Sequence, residues 1–269
     1  LGLTLVEPEG WTCCGTSPAH STDHFLATKL PMENLALVER NGFNYVTVPC
    51  AGCFTRFRTA QHEMKRDPAL REKVTEAVVE STGYTPSDGV QVDNLLVTFT
   101  ERVGYETIAR EVTRLLEGLK VVCYYGCVLT RPPEITGVEN YEYPTNMDHL
   151  MEILGAESLD WSYKTDCCGG SLALSQLHIA LDMCRKILQN AQEVSAEVIV
   201  VACPLCQANL DMRQEQINTR FGSEYNLPIL YFTQLMGLAL GLGASELGLD
   251  KHFISPMALL KDKNLLSKP

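Results

Sequence analysis

The sequence has no cationic run, no long apolar stretch and no leader-like start, and each absence removes a class of function. Lys and Arg number 22 against 33 Asp and Glu, a formal charge of −11 with a pI near 5.0. A nucleic-acid surface needs clustered positive charge to displace counterions, so that role is excluded. The most apolar segment, residues 229–243, contains Gln234 and three glycines, and it falls short of the ~20 residues that cross a bilayer. No membrane span is expected. Without a charged-then-apolar leader the expected compartment is the cytoplasm, where cysteine clusters bind metal more often than they form disulfides. The chain opens at Leu1 rather than Met, which reads as a processed or truncated product.

What the sequence does have is 11 cysteines in 269 residues. A chain of this length builds its core without covalent staples, so the cysteines need another explanation. Their spacing is a repeat. Cys13-Cys14-Gly15 matches Cys167-Cys168-Gly169 at an offset of 154, and Cys50-x-x-Cys53 matches Cys203-x-x-Cys206 at an offset of 153. The lead-in Leu1-Gly2 matches Leu154-Gly155. Tyr45 to Val48 and Val198 to Val201, β-branched runs suited to buried strands, precede the two C-x-x-C motifs. Helical patterns precede each strand, Pro31 to Arg40 and Leu177 to Val194, and the twin cysteines occupy the loops before them.

Lys120 to Tyr125 reads as a further strand, ending in Gly126-Cys127 and a loop from Val128 to Pro133. Its counterpart in the first repeat would lie ahead of Leu1, so the first repeat is expected to lack its opening strand, that strand's cysteine and most of a helix. Asp67 caps a helix from Pro68 to Thr82. Asp93 to Phe99 is weakly strand-like or the start of a helix, Glu106 to Leu116 is helical, and Met147 to Leu154 is a helix. A polar helix from Gln207 to Thr219 leads to the strand Ile229 to Phe232 and a helix from Thr233 to Leu242, read as core or subunit interface. The expected fold class is α/β, in two pseudo-symmetric domains, 1–118 and 119–269, each a small, mostly parallel sheet flanked by helices.

Parallel strands present their C-terminal ends along one edge, where ligands bind. Cys127, Cys167, Cys168, Cys203 and Cys206 all leave from such loops. Four thiolates could hold zinc, although adjacent cysteines chelate one tetrahedral ion poorly. Five suit a polynuclear iron–sulfur centre, tuned by the amides of Gly169 and Gly170. Cys123, inside a strand, and Cys184, inside a helix, have no partner in the other repeat and read as packing residues. His20 and His24 follow the first twin-cysteine loop and could donate to a cluster or substrate, or be solvated or capping residues. Arg131 could pair with an anionic substrate group such as a sulfonate or phosphate, or sit in a surface ion pair. Lys65, Arg66, Arg71 and Lys73 read as a solvated helix face.

The order Gly126-Cys127, Cys167-Cys168-Gly169, Cys203-Pro204-Leu205-Cys206, with Gln207 to Asp211 and Leu230 to Leu238, resembles the CCG domain that occurs twice in the B subunit of heterodisulfide reductase. The resemblance implies two noncubane 4Fe-4S clusters, each with five cysteine ligands. One would use Cys127, Cys167, Cys168, Cys203 and Cys206; the other Cys13, Cys14, Cys50 and Cys53, its fifth ligand lying in the absent segment. It implies an oxidoreductase that reduces a small-molecule or protein disulfide in methanogenesis or another anaerobic energy metabolism. The implied partners in a multisubunit complex are a ferredoxin-like iron–sulfur subunit, a flavin-bearing subunit, and a hydrogenase or formate dehydrogenase beyond them. Two other readings compete: a CCG-domain electron-transfer subunit of a succinate, glycolate or lactate dehydrogenase, and a zinc-stabilised scaffold.

Overall fold

The computed structural model describes residues 1–16 and 18–266. They form two compact units, one of residues 2–98 with 131–139, the other of residues 99–130 and 140–266 together with Leu1.

The amino-terminal unit runs α1 (Pro18–Thr22), α2 (His24–Arg40), β1 (Tyr45–Val48), α3 (Ala51–Arg66), α4 (Pro68–Thr82), β2 (Gln91–Asn94) and α5 (Leu95–Val97). Its two strands pair in parallel, Tyr45 with Gln91 through Val48 with Asn94. The helix α2 begins seven residues ahead of the expected Pro31, because the Asp23 carboxylate accepts the Leu26 amide at 3.0 Å and caps the chain there. Pro31 then lies inside the helix, where a lost hydrogen bond costs about 3 kcal/mol. Burial of Met32, Leu35, Ala36 and Val38, with α2 packed on both α3 and α4, outweighs it. The next helices follow the sequence expectation closely: Asp67 accepts the amides of Ala69 and Leu70 at 3.0 Å, and Gly83, at φ +69°, closes α4.

The carboxy-terminal unit continues with α6 (Tyr105–Glu111), β3 (Lys120–Tyr124), α8 (Asn146–Ile153), β4 (Glu157–Ser158), α9 (Leu177–Glu193), β5 (Val198–Val201), α10 (Pro204–Met212), α11 (Gln214–Phe221), β6 (Ile229–Tyr231), α12 (Phe232–Ala239) and α13 (Met257–Asp262). The intervening α7 (Pro133–Thr136) belongs to the first unit, where Arg58 Nε donates to Ile135 O at 2.9 Å. The sheet is wholly parallel, in the order β4-β3-β5-β6. Every residue of β5 and β6 is buried, as expected of parallel strands covered on both faces. The fold is α/β, with small parallel sheets flanked by helices.

Three expected elements differ. Residues 93–99 are the end of β2, then α5, then the first residues of a π-helical turn over Thr98–Gly104. The helix expected to Leu116 ends at Glu111, because Thr113 and Arg114 give their amides to Ala239 O and Leu116 gives its amide to Leu154 O. Tertiary acceptors at the ends of α12 and α8 replace those of the helix. The polar helix after Cys206 starts at Pro204 and breaks at Arg213. There the fully buried Gln214 side chain donates to Leu210 O and Leu227 O and accepts the Leu227 amide, tying the chain ahead of β6 to the break. Among the described residues no helix is long and apolar enough to cross a membrane.

Candidate iron–sulfur site

In the carboxy-terminal sheet Tyr124 of β3 lies opposite Val201 of β5, so both strands end at the same level. Cys127 leaves from the first and Cys203 from the second, where it starts α10. The twin cysteines arrive from the loop ahead of α9, and Gly169, at φ +73°, turns the chain back. That turn needs glycine twice over, since a Cβ would also stand 2.9 Å from Ala180 Cα of α9.

The five thiols fall into two contact groups, a pair and a set of three. Cys127 hydrogen-bonds Cys167, Cys168 Sγ lies 3.5 Å from Cys206 Sγ, and Cys206 contacts Cys203. The contact with Cys127, aided by the Gly169 amide and opposed by burial, holds the Cys167 thiol down at about 6. Cys206 likewise pulls Cys168 down, and the protonated partners Cys127 and Cys206 are pushed up. Each twin cysteine is therefore disposed to carry thiolate, the form that binds metal. Gly126, at φ +72°, allows the close approach, because a Cβ there would sit 3.1 Å from Cys206 Sγ.

The amino-terminal unit repeats the arrangement with fewer thiols. Cys50 starts α3 at the end of β1, Gly15 turns at φ +73°, and Cys14 Sγ lies 2.7 Å from Cys53 Sγ, which also contacts Cys50. Contact with Cys53, opposed by burial and reinforced by Thr16, holds Cys14 at about 6, while Cys53 is pushed up. Cys13 is exposed and accepts the Gly15 amide at 3.4 Å, as Cys167 accepts that of Gly169 at 3.3 Å. Cys14, Cys50 and Cys53 are brought into contact; Cys13 stands beside them on the turn.

Among the described residues no three His, Cys, Asp or Glu side chains are spaced around a single ion. The thiols contact each other in pairs, and their chemistry fits a polynuclear iron–sulfur group better than one metal ion. Cys14, Cys167 and Cys168 are held toward thiolate, the C-x-x-C pairs start at strand ends, amides are aimed at sulfur, and Gly126 leaves the sulfurs a cradle that a Cβ would fill.

Comparison with known proteins agrees. The model of the cysteine-rich CCG domain matches residues 1–58 and 121–211. The chain belongs to the cysteine-rich CCG-domain family. This CCG chain is 31% identical over 97% of its length to the B subunit of the ferredoxin/F420H2-dependent CoB-CoM heterodisulfide reductase of Methanosarcina acetivorans, covering 87% of that protein. It is 32% identical over 96% of its length to the 8-methylmenaquinol:fumarate reductase membrane anchor subunit of Wolinella succinogenes, covering 89% of it. A hypothetical protein from Helicobacter pylori shares the fold, with a TM-score of 0.73 at 13% identity over 91% of the CCG chain and 45% of that structure's chain.

The other candidates in the CCG chain lie apart from these contacts. His20 lies within α1 and is exposed. His24 opens α2 rather than lying in a loop, and its Nε2 stands 3.2 Å from Glu63 Oε1. Arg131 is exposed, at a cis peptide before Pro132. Lys65 and Arg66 end α3, Arg71 and Lys73 lie in α4, and Arg71 pairs with Asp88 at 3.5 Å. Cys123 and Cys184 are wholly buried, and burial pushes both thiols up.

Sequence reasoning missed the braces behind the CCG cysteines. Asn209 Nδ2 donates to Cys168 O at 2.6 Å and to Cys184 Sγ at 3.2 Å, while Cys184 Sγ lies 3.2 Å from Cys168 O. Cys184 thus packs and also holds the turn. Asp211 accepts the amides of Phe253 and Ile254, pinning a strap far along the chain. Tyr124 OH donates to Asp166 O at 2.6 Å, one residue before Cys167. The signal available was the polar pattern Gln207, Asn209, Asp211 on an otherwise apolar helix start.

Proposed function

We propose that this CCG chain is the catalytic subunit of a heterodisulfide reductase-type complex, which takes a disulfide, two electrons and two protons to two thiols in one-electron steps. The observation that carries the reading is the doubled arrangement: both units hold a Cys-Cys-Gly turn against a C-x-x-C at a strand end. A disulfide requires two electrons, and two one-electron sites in one chain match that requirement without a flavin.

Cys127, Cys167, Cys168, Cys203 and Cys206 would hold one noncubane 4Fe-4S cluster, and Cys13, Cys14, Cys50 and Cys53 would supply four ligands to the other. Each cluster, when bound, supplies one electron at a time and an iron able to meet a sulfur. The chain's own part follows from burial. Cys168, Cys203 and Cys206 are buried and fix the inner wall; Cys127 and Cys167 are half-buried and line the open side. Val128 and Leu205, the chain neighbours of Cys127 and Cys206, expose apolar side chains next to the carboxy-terminal cysteines. The exposed Arg131, His20 and His24 would meet an anionic substrate group. A cytoplasmic complex with ferredoxin-like and flavin-bearing partners completes the reading.

The likeness to a fumarate reductase anchor subunit favours a second reading, in which the same groups only relay electrons. One assay separates them. The purified, iron-loaded protein is expected to contain about eight irons, four for each cluster, and to release two thiols per mixed disulfide of coenzymes M and B as a viologen radical is consumed. Iron without thiol release, on that and on small symmetrical disulfides, selects the relay. Zinc in place of iron removes both.

A further inference from the structure

The two cysteine sites share a Cys-Cys-Gly turn and a C-x-x-C, and one exchange between these elements bears on the thiols. The residue after the Cys-Cys-Gly turn is Thr16 in the first repeat and Gly170 in the second; the third residue of the C-x-x-C is Gly52 in the first and Leu205 in the second. The bulk between turn and strand end changes sides. Gly52 makes room for Thr16, since a Cβ there would stand 2.7 Å from Thr16 Cγ2. A Cβ on Gly170 would rest in ordinary contact with Cys168 Sγ at 3.4 Å and Leu205 Cβ at 3.8 Å. The backbone donors are matched, Gly15 to Cys13 and Gly169 to Cys167. What the exchange changes is chemistry: Thr16 Oγ1 lies 2.7 Å from Cys14 Sγ, whereas Gly170, at the corresponding position, has no side chain, and Leu205 is apolar and exposed. Asn209 is braced against Cys168, giving its amide to Cys168 O and Cys184 Sγ and acting on the Cys168 thiol as well, so the carboxy-terminal set has an amide where the amino-terminal set has a hydroxyl.

We infer that Thr16 sets the potential of the amino-terminal cluster, its hydroxyl donating to the Cys14 sulfur and raising that potential. The inference rests on the cluster reading above. A hydrogen bond to a ligand thiolate stabilises the more negative, reduced state of an iron–sulfur group and so raises its potential. The methyl of Thr16, packed on Gly52, fixes the hydroxyl toward Cys14 and limits its competition with water.

Potentiometric titration of the iron-loaded protein, followed by paramagnetic resonance, tests this beside iron and labile-sulfide assays. Thr16→Val is expected to move one midpoint to more negative potential and leave the other in place, with iron content unchanged. Thr16→Ser, which keeps the hydroxyl, is expected to leave both near native values. Gly170→Ser, which adds a hydroxyl beside Cys168, is expected to raise the other midpoint. Full iron in Thr16→Val with both midpoints native overturns the inference, as does a Thr16→Ser shift equal to that of valine. Should the valine chain lose iron, Gly170→Ser decides, and an unmoved midpoint there overturns the inference. Absence of iron from the native protein defeats the underlying reading instead, and the assay shows that before any titration.

Discussion

The Lys164 ammonium lies 2.8 Å from the Asp148 carboxylate, the two side chains 3% and 12% exposed, directly behind the loop that carries Cys127. Ser158 and Tyr125 bond the same carboxylate, and the ammonium also meets Pro144 O and the face of Tyr143. The Lys164 carbonyl accepts the amides of Tyr125 and Gly126. One residue thus joins the end of β3 to the approach of the twin cysteines.

Breaking that pair leaves a charge buried without its partner, which costs about 3–5 kcal/mol. Lys164→Met and Asp148→Asn are each expected to lower the urea midpoint strongly. Both are expected to lose iron from the carboxy-terminal set first, because the loop holding Cys127 loosens with Lys164. Iron retained in full by a clearly destabilised variant would separate stability from site assembly.

Asn209 acts on the Cys168 carbonyl and on the neighbouring sulfurs, so its loss should read as stability and loading together. Asn209→Ala removes a donor from a buried carbonyl, worth about 1–3 kcal/mol. Asn209→Asp should do no better, since a carboxylate cannot donate to Cys168 O. Thermal unfolding of the three proteins, loaded and metal-free, checks both statements.

Gly169 holds a conformation that side-chain-bearing residues adopt at a cost of about 1–3 kcal/mol, and it abuts Ala180 Cα besides. Gly169→Ala is expected to abolish the carboxy-terminal cluster while the amino-terminal one survives. Gly15→Ala is expected to do the converse, since its Cβ would meet Ala19 and Leu30 at 2.8 Å. Iron content and resonance spectra of the two variants should therefore be complementary.

Glu197 accepts Lys263 Nζ at 2.7 Å and the Lys120 amide at 2.9 Å, linking the starts of β5 and β3 to the end of α13. Burial works to raise its carboxyl, but these partners outweigh burial and hold it below the ordinary 4.5. A lowered carboxyl stabilises the fold above its unfolded-state value, and that contribution fades as pH falls through the folded one. The urea-midpoint gap between the native protein and Glu197→Gln should be constant above about pH 5 and close below it. A gap unchanged down to pH 3 would place the effect in shape rather than charge.

Much of the fold was legible because local rules act on adjacent residues. Asp67, Pro68 and Gly83 bound α4 through a cap, a pre-set φ and a left-handed stop, all written within a few positions. Val198 to Val201 reads as a buried parallel strand because no polar residue interrupts it. The misreadings have the opposite origin. Pro31 looked like a helix start because proline suits that position, yet Asp23 captured the chain earlier and packing carried the helix through. The chain after Glu111 looked helical until Ala239 O and Leu154 O, far along the sequence, took its amides.

By itself the sequence determined the repeat, the strand-end position of each C-x-x-C and the grouping of thiols into two sets, since these depend on spacing and on short apolar runs. Only the tertiary structure decided which thiol contacts which, how Asn209, Cys184 and Lys164 brace the turns, and that Thr16 reaches the Cys14 sulfur. The reason is physical. Hydrogen bonds between sulfur, carbonyl and hydroxyl act over about 3 Å, and residues separated by tens of positions come that close only when helices and strands pack.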